Sequence, residues 1–511
     1  MDENTALQPP DSGSAAPVAD APRWRDLREW LDLLRRHDLL LTIDAEVDPE
    51  EELGAVTFMT ARQHGAPALL FENLKNNRSD ARILSNMLGA SKERYALAVG
   101  LPPGLSTAEM VAATRKLMKR RLPPIWIGKD EAPVNEIVAR GEEVDLTRLP
   151  VPKFWPGDGG RFLGTGDITL TSDPETGRIN VGVYRQMLHA ARRIGLNFVA
   201  GRDGLFDVEG WWARGRPCEV VVAYGIDPVL FMAGAQRFAA QESELDVAGG
   251  LMGRRIELTK AEFVSLPIPA RAELVIEGVL HQGDAEVEGP LGEFHGFYSG
   301  SRLAKPVIEV LALHSRRAPI LTAALMANYP AGEIGAYHAI MRSARILENL
   351  EQMGVPGIQG VYVQPAAASA MCMVVVALKQ LYPGHAAQVL ALTAQCPAAV
   401  YCTKWIIAVD EDVDPTDFDQ VMWALSTRCN PADDLDVLRN TWTFRADSSL
   451  PAQARPYGSK VLINACKPHR YLKELPVRTL LRRSTYDQVK RRWAELGLPG
   501  SPPAVASFYE E

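Results

Sequence analysis

Residues 286–297, EVEGPLGEFHGF, hold the densest chemistry in the chain. Two carboxylates, Glu288 and Glu293, flank a Gly-Pro and a further Gly. Gly289, Pro290 and Gly292 exclude a helix and favour a compact turn. Such a turn can bring both carboxylates to one site. Two carboxylates a few ångström apart do not both ionise easily, so one pKa rises and that group can carry a proton near neutrality. That is a general acid. Alone, the stretch also fits a surface turn with two solvated glutamates.

A second stretch supplies what such a pair needs. Residues 173–187, DPETGRINVGVYRQM, read as a hairpin: a turn over 173–177 and a returning strand over 178–185. Arg185 can hold one carboxylate ionised through a bidentate pair and leave the other to move protons. Asn180 and Glu244 offer hard oxygen ligands suited to Mg²⁺, Mn²⁺ or K⁺. Strict alternation along a strand puts Asn180 and Arg185 on opposite faces. For both to serve one site, the strand must bend or end between them.

These residues need a scaffold of several parts, because 511 residues exceed a single core. With 47% hydrophobic and 23% charged residues the composition is globular, and a net charge of −8 argues against a basic nucleic-acid footprint. None of the six cysteines stands in a C-x-x-C pair, so neither a zinc site nor a dithiol motif is signalled. Reduced thiols and a cytoplasmic home follow as expectations. Residues 1–22 lack a basic start and an apolar run and read as a disordered tail, not a signal peptide. No apolar run reaches membrane-spanning length.

The pattern divides the remainder into three. Residues 23–131 read as an α/β module, with a helix from Trp24 through Leu34, strands over 39–43 and 68–71, and a helix from 48–49 to Arg62. A further helix over 106–119 carries a capping box from Ser106 and Glu109. Residues 132–318 read as β-rich, with strands over 167–171, 178–185, 218–224, 273–282 and 306–314, one helix over 241–251, and a barrel as the expected form. Residues 319–511 alternate again: helices over 336–353, 366–381, 415–427 and from Ser484 to Leu496, the last capped by Ser484 with Asp487. Strands are expected over 357–364, 400–409 and 459–465.

Other motifs fail on inspection. The acidic run from Asp410 to Asp419 lacks the Gly and Glu of a calcium loop, since Pro415 and Val421 stand there. It reads as a strand end followed by an acidic helix start. Gly-rich 160–166 lacks G-x-G-x-x-G. His295 stands near Glu293 but has no second histidine with it.

Taken together, these motifs resemble the UbiD family of decarboxylases, which use prenylated FMN. DPETGRINVGVYRQM resembles the family's hairpin, SELDVAGGLMG (243–253) its metal-binding stretch, and EGPLGEFHGF (288–297) its signature E-G-P-x-G-E-x-H-G. Weaker similarity runs through 46–56, 132–152, 404–414 and 423–428. The resemblance implies an N-terminal α/β module, a central flavin-binding split β-barrel and a C-terminal α/β domain used in oligomerisation. It implies that Arg185, Glu288 and Glu293 form a catalytic Glu-Arg-Glu set, with Glu293 the proton donor. It implies cofactor contacts from Asn180, Val183, Tyr184, Arg185, Arg202, Glu244 and Lys404. A divalent ion (Mn²⁺, Mg²⁺ or Fe²⁺) and K⁺ would accompany the cofactor, with Asn180 and Glu244 as two ligands. The family's third ligand is a His; here Arg202 and Asp203 fall at its place. Asp203 would then bind metal, or Arg202 would bind phosphate directly.

The implied activity is reversible non-oxidative decarboxylation of an aromatic, heteroaromatic or α,β-unsaturated acid through a covalent prenylated-FMN adduct. A flavin prenyltransferase would supply the cofactor, and a homo-oligomer, dimer or hexamer, is expected. Two alternatives stand beside it: a non-catalytic or regulatory subunit of a multi-subunit carboxylase, and a flavin reductase on a split barrel.

Overall fold

The computed structural model describes residues 24–198, 201–238, 242–299, 302–472, 474–476, 478–503, 505 and 508–509. The tail expected over 1–22, and Gln241 at the start of one expected helix, lie outside the described residues. The chain opens on the helix Leu27–Arg36. Its N-cap Asp26 accepts from the Glu29 amide, and Leu27, Trp30, Leu31 and Leu34 bury one stripe. Four strands form the first sheet, in the order Leu40–Ile43, Ala68–Phe71, Arg82–Ser85 and Ile320–Ala323. Ile320–Ala323, grouped by sequence with the third part, thus pairs parallel with Arg82–Ser85. The capping box of Ser106 and Glu109 starts the helix Thr107–Leu117 as expected.

The central sheet has nine strands. Its order is Phe162–Gly164, Gln186–Ala190, Arg193–Gly195, Leu303–Ser315, Leu274–Glu288, Cys218–Tyr224, Asp167–Ser172 and Ile179–Gly182, with Ile137–Arg140 paired to Leu303–Ser315. The two long strands, 15 and 13 residues, pair with register shifts at Glu277/Gly278 and Leu280/Ala285. Such bulges bend a strand and raise its twist. The sheet curls into a half-barrel and does not close, because its first and last strands do not pair. The helices Asp203–Ala213 and Glu244–Met252 pack on the strand Ile179–Gly182.

The third part is a five-stranded sheet, ordered Ile358–Val363, Met373–Leu378, Trp405–Asp410, Tyr457–Ala465 and Leu435–Trp442. Its helix Ala336–Gln352 packs both on Ile358–Val363 and on Thr107–Leu117. The helix expected over 366–381 is absent. Residues 368–370 are three consecutive left-handed residues, and Met373–Leu378 is a strand. Helix propensity of the alanines lost to pairing: MVVVAL is β-branched and buried, and it bonds to a strand on either side. The strand expected over 400–409 shortens to Trp405–Asp410, and the last helix is Arg483–Arg491, with no side-chain cap from Ser484. Asp417 caps the helix Phe418–Arg428, as the acidic run suggested. All six cysteines are free. Among the described residues no helix is long and apolar enough to cross a membrane.

Candidate active site

The strand that carries Asn180 ends at Gly182, and the next begins at Gln186. Arg185 sits in the break, which removes the conflict that strict alternation posed. Its guanidinium meets Glu288, the last residue of Leu274–Glu288, in a bidentate pair: Nε donates to Oε1 at 2.7 Å and Nη2 to Oε2 at 2.9 Å. Nη1 donates to Glu293 Oε1 at 3.0 Å. Arg185 therefore bridges both carboxylates, and Glu288 is only 1% exposed.

Local backbone sets Glu293. After the cis Gly289–Pro290 bond, Leu291–Gly292 pairs antiparallel with Tyr298–Ser299, so Leu291 faces Ser299 in register. The Glu293 amide donates to the Phe297 carbonyl, and the Gly296 amide closes the turn on the Glu293 carbonyl. Asp158 anchors the base of this hairpin by accepting from the Gly292 amide at 2.9 Å. Gly159 must stay glycine, because a Cβ there would lie 1.9 Å from the Gly289 carbonyl oxygen.

Two residues that no motif flagged complete the set. Ser299 Oγ donates to Glu293 Oε1 at 2.7 Å and accepts from Arg185 Nη1. Asn197 Nδ2 donates to Glu288 Oε2 at 3.1 Å. The signal for Ser299 was hairpin register, which no single-residue motif carries.

Electrostatics separate the two glutamates. Burial pushes the Glu293 pKa up, against the pull of Arg185 and Ser299. Burial works against the charge on Arg185, but its bonds to Glu288 and the charge of Glu293 outweigh that and hold its pKa high. A permanently charged guanidinium thus sits beside a carboxyl biased toward its protonated form. The arrangement can deliver and recover one proton at Glu293 while Glu288 holds Arg185 in place.

A second group lies beyond the broken strand. Asn180 Nδ2 donates to Thr171 Oγ1 at 3.1 Å, and Thr171 donates to Asp207 Oδ2. Ser243 caps the helix Glu244–Met252, and burial pushes Glu244, its first residue, up to about 7. Glu244 Oε2 is buried without a hydrogen-bond partner. Asp203, expected as a third metal ligand, instead pairs with Arg178 at 2.9 Å. Among the described residues no three His, Cys, Asp or Glu side chains are grouped to hold a metal. The donor set therefore fits a cation in two positions, the Asn180 oxygen and Glu244.

The remaining expected contacts divide. Tyr184 is buried and packed on Phe198, with Gly182 and Gly204 against its ring. Val183 packs on the core. Lys404 is committed to Asp447 at 2.6 Å and to Ser449. His295 lies among Phe294, Phe297 and Phe444, and burial lowers its pKa to about 4. It is packed as a neutral ring. Arg202 lies over the Tyr401 ring, and Tyr401 in turn packs against Trp442 at 4.7 Å. The Tyr401 phenol is within electrostatic reach of both Arg202 and Glu293. Two buried cations pin the Tyr401 loop: Arg342 donates to the Tyr401 carbonyl, and Lys460 to those of Val400 and Thr403.

A bulged half-barrel here holds a guanidinium between two carboxylates, one of them pushed by burial toward its acid form. Comparison with known proteins gives it a chemistry. Three domain models of the 3-octaprenyl-4-hydroxybenzoate carboxy-lyase, UbiD, match: the N-terminal domain over 31–124, the Rift-related domain over 126–329 and the C-terminal domain over 337–465. The chain belongs to the UbiD family and is a carboxy-lyase of that type. Among solved structures it is similar to the UbiD-class enzyme HmfF from Pelotomaculum thermopropionicum in complex with FMN. Identity is 28% over 89% of this chain and 97% of that one, with a TM-score of 0.77. It is similar to vanillic acid decarboxylase from Sedimentibacter hydroxybenzoicus in closed form, at 26% identity over 93% and 99% and a TM-score of 0.83. It is also similar to 3,4-dihydroxybenzoic acid decarboxylase from Klebsiella pneumoniae, at 26% over 91% and 99% and a TM-score of 0.76.

Proposed function

We propose that the protein removes CO₂ reversibly from an aromatic or heteroaromatic carboxylic acid, with prenylated FMN as cofactor and Glu293 as proton donor. The observation that carries this is Arg185 bridging Glu288 and Glu293. Loss of CO₂ from an sp² carbon leaves an electron pair that no side chain can hold. Prenylated FMN, when bound, supplies that electron sink. One relative, HmfF, is known with FMN and, in an evolved dimeric form, with prenylated FMN, which supports a flavin here.

The chain's own residues do the rest. Arg185 orients the substrate carboxylate while Glu288 and Asn197 fix its guanidinium. Glu293, biased toward its acid form by burial, delivers its proton to the carbon that CO₂ leaves. In the reverse direction the same carboxylate removes that proton. Ser299 holds the carboxyl in line. A divalent ion would take its protein ligands from Asn180 and Glu244; Asp203 joins them only by leaving Arg178. The buried guanidinium bridging two carboxylates favours a catalytic subunit over a non-catalytic one. Oligomerisation through the third domain belongs to the same proposal.

The test is decarboxylation of a panel of aryl and heteroaryl acids by protein co-expressed with a flavin prenyltransferase. Activity should depend on that co-expression. Equal activity with ordinary FMN sinks the cofactor assignment, and no turnover or solvent-deuterium exchange with any acid sinks the enzymatic one.

A further inference from the structure

The strand that ends at Glu288 carries an acidic ladder. Asp284, Glu286 and Glu288 lie at alternate positions of Leu274–Glu288, so they share one face of the sheet. Each is matched. Arg193 pairs with Asp284 at 2.6 Å and with Glu286 at 2.5 Å, His189 Nδ1 lies 3.2 Å from Glu286, and Arg185 holds Glu288. One more cation stands on this face. Lys305, on the paired strand Leu303–Ser315, faces Glu286 in register, while Leu303 faces Glu288. Lys305 is therefore the diagonal neighbour of Glu288.

Cross-strand pairing would give Lys305 to Glu286, but Arg193 and His189 already hold that carboxylate, and Arg185 and Asn197 hold Glu288. Among the described residues the Lys305 ammonium has no hydrogen-bond or ion-pair partner. The side chain is half-buried. Burial lowers its pKa, Glu288 opposes that, and Arg185 and Arg445 add to it. Arg445 follows Phe444, whose ring packs at 5.5 Å on Phe294, the residue after Glu293. Lys305 thus stands where the catalytic turn and the C-terminal domain meet. A half-buried ammonium whose neighbouring carboxylates are taken costs free energy until an anion joins it.

We infer that Lys305 binds a second carboxylate of the substrate while Arg185 orients the reacting one, so that the preferred substrate is an aromatic or heteroaromatic diacid. The inference rests on the decarboxylase reading above and names its substrate class. Diagonal neighbours on a sheet face stand about 7–8 Å apart, on the order of the span between two carboxylates across one ring. A neutral hydroxyl at that place gains less, because an ammonium bonds most strongly to an ionised acceptor. One carboxylate leaves as CO₂, the Glu293 proton replaces it on the ring carbon, and the product is a monoacid. That product keeps its contact to Lys305 and has lost its contact to Arg185, which favours its release.

The test uses full-length protein co-expressed with a flavin prenyltransferase and matched acids: terephthalate against benzoate and para-hydroxybenzoate, and a thiophene diacid against its monoacid. Wild type should prefer the diacid in kcat/KM by about ten- to hundredfold, the worth of one charged hydrogen bond. Lys305→Met should lose that preference through a higher KM for the diacid rather than through kcat, and Lys305→Arg should keep most of it. The preference is a ratio measured on one protein, so a general loss of activity cancels. A wild type that turns over monoacids or para-hydroxybenzoate as well as diacids overturns the inference and leaves the decarboxylase reading standing. A diacid preference that survives Lys305→Met also overturns it, because another group then holds the second carboxylate. If wild type turns over no acid of either kind, the decarboxylase reading itself has failed and the inference falls with it.

Discussion

The two ends of the site differ in how their charges are matched. At one end Arg185 spends its donors on Glu288, Glu293 and Ser299, and Asn197 adds a bond to Glu288. At the other end Glu244 Oε2 is buried, with no hydrogen-bond partner among the described residues. The first end is set before any ligand arrives, so its geometry is preorganised for proton transfer. The second end keeps a buried carboxylate oxygen whose hydrogen-bonding capacity is unmet. The two ends therefore rest on different physics: a closed ion-pair network at Arg185, and an open oxygen at the head of the helix Glu244–Met252.

The largest expected effect comes from breaking the matched end. Arg185→Ala leaves Glu288 buried without its cation, which costs about 3–5 kcal/mol of stability. Urea unfolding should show that loss, and decarboxylation should fall below detection even where folded protein remains. Glu293→Gln keeps size and a hydrogen bond but removes the acid. Turnover should fall ~10²–10⁴-fold with the flavin absorbance of the bound cofactor unchanged. Near-wild-type turnover in that variant would place the acid elsewhere.

A third prediction asks whether an incompletely matched buried carboxylate elsewhere in the half-barrel is a liability. Asp167 is fully buried, with Oδ1 unpartnered, and burial raises its pKa to about 7. The folded state thus holds a proton that the unfolded chain has released above its ordinary value near 4. Its contribution favours folding at low pH and is lost as pH rises between those two values. Asp167→Asn should flatten the fall in Tm between pH 5 and pH 7. An unchanged slope would mean Asp167 is not the group responsible. The smallest effect is Ser299→Ala. Removing one neutral hydrogen-bond partner from Glu293 costs about 0.5–1.5 kcal/mol, so kcat should drop no more than about tenfold, with a shift in its pH profile. A pH profile identical to wild type would show that Ser299 does not tune the acid.

Much of this was legible in the residues. E-G-P-x-G-E names both carboxylates because a cis-capable Gly-Pro turn and its flanking acids are local features. The hairpin turn at 173–177, the capping box of Ser106 and Glu109 and the apolar stripe of the first helix are local in the same sense. What stayed hidden depends on partners distant in the chain. The alanines of 366–372 and the valines after them read as a helix until two neighbouring strands claimed Met373–Leu378. Ile320–Ala323 looked like the start of the third part, yet its hydrogen bonds belong to the first sheet. Lys404 was carried over by the resemblance and Asp203 stands with Arg202 where the family has its His, and only the fold shows their charges paired with Asp447 and Arg178. Ser299, Asn197 and Trp442 carry no motif at all. Residue types and short spacings determined which chemistry was available, because turns and caps are decided within a few residues. Which charges are matched and which are left for a ligand was decided by tertiary structure, because pairing depends on distances that close only when the sheets curl and the domains pack.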